Sequence, residues 1–174
     1  QWTTLPKVGP RAQLAAMDGK AMVVHSGGVD WIAPDTLGSY TLEALSGPVV
    51  HPESSNLTEG VATARGHVFA SHGSFLVVTA PDGSSQIHDL EVWASSIFGI
   101  GEEIYVTGGG TALLNRWDWD ARELVDCQDV LYPTEYIWLT SAQERSEGGV
   151  WLLNQDNRII GFDGEKSWFW KGND

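Results

Sequence analysis

Apolar residues along this chain come in short bursts, and each burst is cut off by glycine, aspartate, asparagine or serine. Four bursts are introduced by a glycine: Gly19 before 21–24, Gly66 before 67–70, Gly101 before 104–106 and Gly149 before 150–153. Each burst runs into a small polar turn: Ser26-Gly27-Gly28, His72-Gly73-Ser74, Gly108-Gly109-Gly110 and Gln155-Asp156-Asn157. A second strand follows at 29–32, 75–78, 112–114 and 158–160, and it ends in a hinge. The hinges are Ala33-Pro34-Asp35-Thr36, Ala80-Pro81-Asp82-Gly83, Trp119-Asp120-Ala121 and Phe162-Asp163-Gly164. Aspartate binds its own backbone and glycine accepts positive φ, so each hinge predicts a β-hairpin. A strand follows each hinge, at 40–43, 86–89, 123–126 and 168–170, and another precedes each introducing glycine, at 13–16, 61–64, 97–100 and 137–140. No stretch keeps apolar residues at helical spacing for more than about two turns.

Four repeats of four short strands, with a period of about 36 to 47 residues, match the blades of a β-propeller. One four-stranded meander has two bare faces, and stacking its neighbours buries them. A sandwich or barrel with strands every 8–12 residues is the competing reading, and the repeated four-part phase favours the propeller. The chain therefore resembles the propeller superfamily with pyrroloquinoline-quinone-like or WD-like blades. The predicted fold is all-β: one domain over 1–174, with four antiparallel blades at about 13–45, 60–90, 96–128 and 137–171. These form either a complete four-bladed ring or part of a larger propeller. Trp117-Asp118 and Trp119-Asp120 look like WD dipeptides, but only one repeat carries them.

Composition narrows the function. Ten Lys and Arg against 23 Asp and Glu leave a formal charge of −13, which a phosphate backbone repels. Apolar runs of a few residues fall far short of the roughly 20 needed to span a bilayer. The single cysteine, Cys127, excludes an internal disulfide and a cysteine cluster for zinc or iron–sulfur. A lone cysteine also favours a reducing, cytoplasmic compartment, and placing Cys127 within a strand predicts a buried, inert thiol. The opening residues lack a charged segment followed by an apolar one, so no leader peptide is expected. Asn56-Leu57-Thr58 fits a glycosylation sequon.

No GxSxG, HExxH, P-loop, CxxC or calcium-loop motif is present, and neither cofactor nor metal is expected. Candidate binding residues come instead from turns and loops. His25 and His72 occupy equivalent turns of the first two repeats, and two imidazoles on one rim suit a metal or a general base, although a metal site usually takes three or four convergent ligands. Asp156 lies in the corresponding turn of the fourth repeat. The long loops 46–59 and 128–136 are where a rigid scaffold carries binding residues, and the second contributes Tyr132, Glu135 and Tyr136. Trp93 sits in the connection between the second and third repeats and is a candidate interface anchor. Trp31, Trp138 and Trp151 are assigned to inter-blade core, and period two puts Trp117 and Trp119 on one strand face. The C-terminal Trp168, Phe169 and Trp170 call for a covering neighbour.

Residues 102–147 hold ten carboxylates and three arginines, a net charge of −7. A face this acidic can steer a basic partner. The leading expectation is a non-catalytic scaffold that binds another protein, basic in charge, through the loop face, or that pairs with a second copy or chain completing the propeller. A carbohydrate or small-ligand module built on Trp and Tyr is the second reading. A hydrolase or lyase using His25, His72 and a carboxylate is the third.

Overall fold

The computed structural model describes residues 12–25, 28–35, 39–46, 60–90, 93–108, 114–131, 139–154 and 157–170. The chain divides into two compact units, Gln1–Glu91 and Val92–Asp174, each holding two four-stranded sheets.

In the first unit, β1 (Gln13–Met17), β2 (Lys20–His25), β3 (Gly28–Pro34) and β4 (Tyr40–Ala44) pair in chain order as an antiparallel meander. β5 (Gly60–Ala64), β6 (His67–His72), β7 (Phe75–Thr79) and β8 (Ser85–Asp89) repeat it. The introducing glycines turn out to be hairpin corners. Asp18-Gly19 has φ of 52° and 74°, and Arg65-Gly66 has 48° and 73°. Two successive left-handed residues make the tight turn whose twist matches that of the flanking strands. Met17, Met22, Val24 and Val29 of the first sheet pack on Val68 and Ala70 of the second. The Thr63 hydroxyl donates to the Ala16 carbonyl at 2.9 Å and ties β5 to β1.

The second unit is built likewise. β9 (Ala94–Ile100), β10 (Glu103–Gly108), β11 (Leu114–Asp118) and β12 (Glu123–Asp126) form one meander, followed by a 3₁₀ turn at Gln128–Val130. β13 (Leu139–Glu144), β14 (Val150–Asn154), β15 (Ile159–Phe162) and β16 (Ser167–Phe169) form the other. Phe98, Tyr105 and Leu114 meet Leu139, Leu152, Ile160 and Phe162 in a continuous core. Tyr105 stacks on Phe98 at 5.5 Å between centroids and meets Phe162 edge-on at 5.3 Å. Its hydroxyl donates to the Gly164 carbonyl at 3.3 Å, so burial strands no donor. The Ser95 hydroxyl donates to the Leu139 carbonyl, and that of Ser167 to the Val130 carbonyl at 2.9 Å.

Three details differ from the sequence reading. The third strand of the third repeat runs from Leu114 to Asp118 instead of ending at Leu114, so Trp119 lies in the turn and shares no strand face with Trp117. The turn is closed by Asp118, not Asp120: its carboxylate accepts from the backbone N–H of Asp120 and Ala121, both at 2.9 Å. Cys127 follows β12 and is half-buried, since the fourth strand of that repeat ends one residue earlier. Among the described residues no helix is long and apolar enough to cross a membrane.

Candidate functional site

The hairpin from β2 to β3 brings two titratable side chains together. His25 ends β2, and β3 returns with Val23 opposite Asp30. Alternation along β2 puts Val23 and His25 on one face, so Asp30 shares that face with His25. The imidazole Nε2 donates to Asp30 Oδ2 at 2.8 Å, with both side chains less than one-fifth exposed. His72 ends β6 at the equivalent position of the next sheet and is buried. His25 and His72 line one recess together with Val29, Ser46, Ala70 and Thr79. The Ser46 hydroxyl closes its floor by accepting from the Val29 N–H at 3.1 Å. The recess offers about 10 Å³, room for a single water. A carboxylate-held imidazole is the machinery of a general base, but a substrate does not fit beside it in this conformation.

The second unit carries a different kind of site. On the last sheet, Val150, Leu152, Ile160 and Phe162 point into the core and are at most 1% exposed. The opposite face presents Trp151, Leu153, Ile159, Trp168 and Trp170, all half-buried or exposed. The Arg145 guanidinium lies over both the Trp151 ring, at 4.7 Å, and the Trp168 ring, at 4.8 Å. Beyond that stack, a largely apolar groove of about 440 Å³ opens between Trp151, Leu153, Ile159 and Trp170, with Ser141 and Gln143 along one side. Trp151 therefore lies outside the core assigned to it from sequence, whereas Trp31 packs against the core of the first unit.

The acidic stretch has a definite location too. β12 is an outer strand of its sheet, and along it Glu123 and Asp126 are exposed, as are Asp120 just before it and Asp129 just after. Glu144 and Glu147 of the neighbouring sheet are exposed as well. Hydrogen bonds from two backbone N–H groups hold Asp118 below the usual carboxylate range, so this turn stays charged.

Of the residues singled out from sequence, the structure brings His25 and His72 to one recess. Trp93 is 58% exposed and belongs to the second unit. Tyr132, Glu135, Tyr136 and Asp156, with Asn56 and Trp138, lie outside the described residues. Sequence reasoning missed Asp30, Ser46 and Arg145. Asp30 was within reach, because a tight hairpin and period two place it beside His25. Arg145 carried no local signal, because Trp151 and Trp168 reach it only through sheet pairing.

No family model matches the chain, and no curated protein matches it. Solved structures do. One is a catalytically inactive variant of virginiamycin B lyase from Staphylococcus aureus with quinupristin. It matches with a TM-score of 0.68 at 13% identity, over 95% of this chain and 57% of that one. Another is PorZ, a bacterial surface component of the type-IX secretion system of Porphyromonas gingivalis. Its TM-score is 0.55 at 12% identity, over 92% of this chain and 21% of that one. The chain thus spans a little over half the length of the first and a fifth of the second. At such low identity the likeness concerns the fold, and the fold is a β-propeller of four-stranded antiparallel blades.

Proposed function

We propose that this propeller module is a non-catalytic scaffold that binds a basic protein partner. The observation that supports the reading is the run of exposed carboxylates Asp120, Glu123, Asp126 and Asp129 along and around the β12 edge. Charges on an edge strand discourage indiscriminate strand pairing. The same charges attract a cationic surface and orient its approach. Exposed Trp93, in the same unit, offers an aromatic anchor of the kind that dominates binding energy.

The test is binding of arginine- and lysine-rich peptides to the whole chain over a range of salt. Affinity should fall steeply as salt rises, and reversing Glu123, Asp126 and Asp129 to lysine should abolish it. Binding that ignores both salt and charge reversal would remove this reading.

A second reading rests on the His25–Asp30 pair and its shared recess with His72: a hydrolase or lyase centre. The similar lyase from Staphylococcus aureus lends only its fold to this idea. The recess would have to open to admit substrate. Turnover lost on His25→Ala and Asp30→Asn, with the fold unchanged, would favour it. Peptide binding by the scaffold would survive both substitutions.

A further inference from the structure

In chain order, each sheet ends in a strand that pairs on one side only among the described residues, and these four edges differ. β12 carries the exposed carboxylates Glu123 and Asp126. β16 is three residues long, and its Ser167 hydroxyl donates to the Val130 carbonyl. β8 sets Ser85 and Asp89 on either side of Ile87. β4 is the plainest: five residues in regular register with β3, free of the proline, lysine and bulge with which sheets guard an edge. Tyr40 on it is 49% exposed, and Thr41, Glu43 and Ala44 are exposed too.

Two backbone bonds fix which groups of β4 face outward. The Leu45 N–H donates to the Val29 carbonyl at 2.8 Å, and the Asp35 N–H to the Ser39 carbonyl at 2.7 Å. Bonded pairs alternate with non-bonded ones along an antiparallel ladder. Thr41 and Glu43 therefore aim their N–H and C=O at β3, while Tyr40, Leu42 and Ala44 aim theirs away from it. Pro34, which has no N–H to give, accordingly stands opposite Tyr40.

We propose that the outer edge of β4 takes up an extended peptide as a fifth strand, with apolar side chains beside Tyr40, Leu42 and Ala44 and a cation beside Glu43. The outward N–H and C=O groups of those three residues supply the main-chain bonds of strand addition, and the side chains supply its selectivity. Alternation puts Tyr40, Leu42 and Ala44 on one face and Thr41 and Glu43 on the other. Glu43 makes no ion pair among the described residues, so its charge is open to a partner. A chain of formal charge −13 favours a basic segment over an acidic one, a second copy of itself included. The inference does not rest on the basic-partner reading: β4 belongs to the first unit and the β12 carboxylates to the second.

Backbone amide NMR of the whole chain, titrated with the blocked peptide acetyl-Val-Lys-Val-Thr-Val-amide, tests it. Antiparallel addition sets the lysine opposite Glu43 and the valines opposite Ala44, Leu42 and Tyr40. The expected result is saturable shifts centred on Tyr40, Leu42 and Ala44, with slowed hydrogen exchange at those amides and only slight dependence on salt. Methylating the central valine nitrogen should abolish them. Leu42→Pro removes one outward N–H and spares the pairing with β3, since edge strands tolerate proline there. It should keep the circular dichroism spectrum and lose the peptide. Glu43→Gln should weaken binding roughly two- to fivefold, the scale of one exposed ion pair. Charge reversal at Glu123, Asp126 and Asp129 should leave this titration unchanged, which separates it from the basic-partner test.

No shift at millimolar peptide would overturn the inference, as would binding that survives the methylation. Shifts centred on β8 or β12 would overturn it in favour of another edge. A dimer of the unaltered chain that Leu42→Pro, still folded, converts to single chains would overturn it by giving the edge to a second copy.

Discussion

Gly161 lies directly beneath the Trp168 indole. The two are opposed in the β15–β16 register, and a Cβ on Gly161 would overlap the ring at Cε2, Cζ2 and Nε1. The glycine is required here by space, because the indole lies flat where a side chain would project.

Gly161→Ala should therefore lift Trp168 from its seat and loosen the Arg145 stack. Overpacking of this kind costs about 1–3 kcal/mol. Denaturant unfolding followed by tryptophan fluorescence would measure it, and the native spectrum should shift to the red as the indole becomes more exposed. An unchanged midpoint and spectrum would mean that the ring sits elsewhere in solution.

Arg145 contributes through its planar face more than through its charge. Its partner Glu147 is 3.5 Å away and exposed, whereas the two indoles are within 5 Å. Arg145→Lys keeps the charge and loses the planar stacking. A lysine ammonium still makes a cation–π contact, so Arg145→Lys should cost only part, and Arg145→Ala all, of the about 0.5–2 kcal/mol that such contacts contribute from exposed to desolvated sites. Glu147→Gln should be nearly silent in the same denaturation assay.

The turn aspartates predict a pH response. Asp163 accepts from the N–H of Glu165 at 2.9 Å and of Lys166 at 2.7 Å. Those bonds hold its pKa below the unfolded value of 3.8. Asp82 is lowered by Ser84, and Asp118 by the N–H groups of Ala121 and Asp120. A depressed carboxylate contributes stability above its unfolded pKa and loses it as pH falls through the folded one. Thermal stability should thus decline below about pH 3.8, and Asp163→Asn should flatten the decline. All three groups are exposed, so the effect of each alone is small. A melting temperature that does not change in this window would contradict the hydrogen bonding of these turns.

Cys127 should be a poor nucleophile. Burial pushes its thiol up to about 11, and its Sγ–H points to the Leu114 carbonyl at 3.5 Å. Thiolate is the reactive form, so a disulfide reagent at neutral pH should label the native protein far more slowly than the unfolded chain. Equal rates would mean that the region after β12 opens readily.

Local chemistry made the sheets legible. Glycine at the hairpin corners, aspartate in the turns after β7 and β15, and apolar bursts between them sufficed to phase four repeats. Reading failed where two local signals competed. Around Trp117 and Trp119 the reading ended the strand at 114 and put Trp119 in a hinge, while period two put both tryptophans on one strand face; the strand runs to Asp118, and the backbone bonds to its carboxylate mark where it stops. The candidate sites were half legible. His25 and His72 occupied equivalent turns and do share a recess. Trp151 was placed in the core because alternation assigns two faces to a strand without saying which one a neighbour covers.

Periodicity, turn residues and charge were determined by the sequence alone, because each depends on neighbours a few positions away. It thereby specified antiparallel four-stranded sheets and an acidic surface. Which face of the last sheet stays open, that Asp30 holds His25, and that Gly161 seats Trp168 were decided by tertiary structure. Those outcomes depend on which sheet stacks on which, and stacking is set by the shape of both surfaces at once.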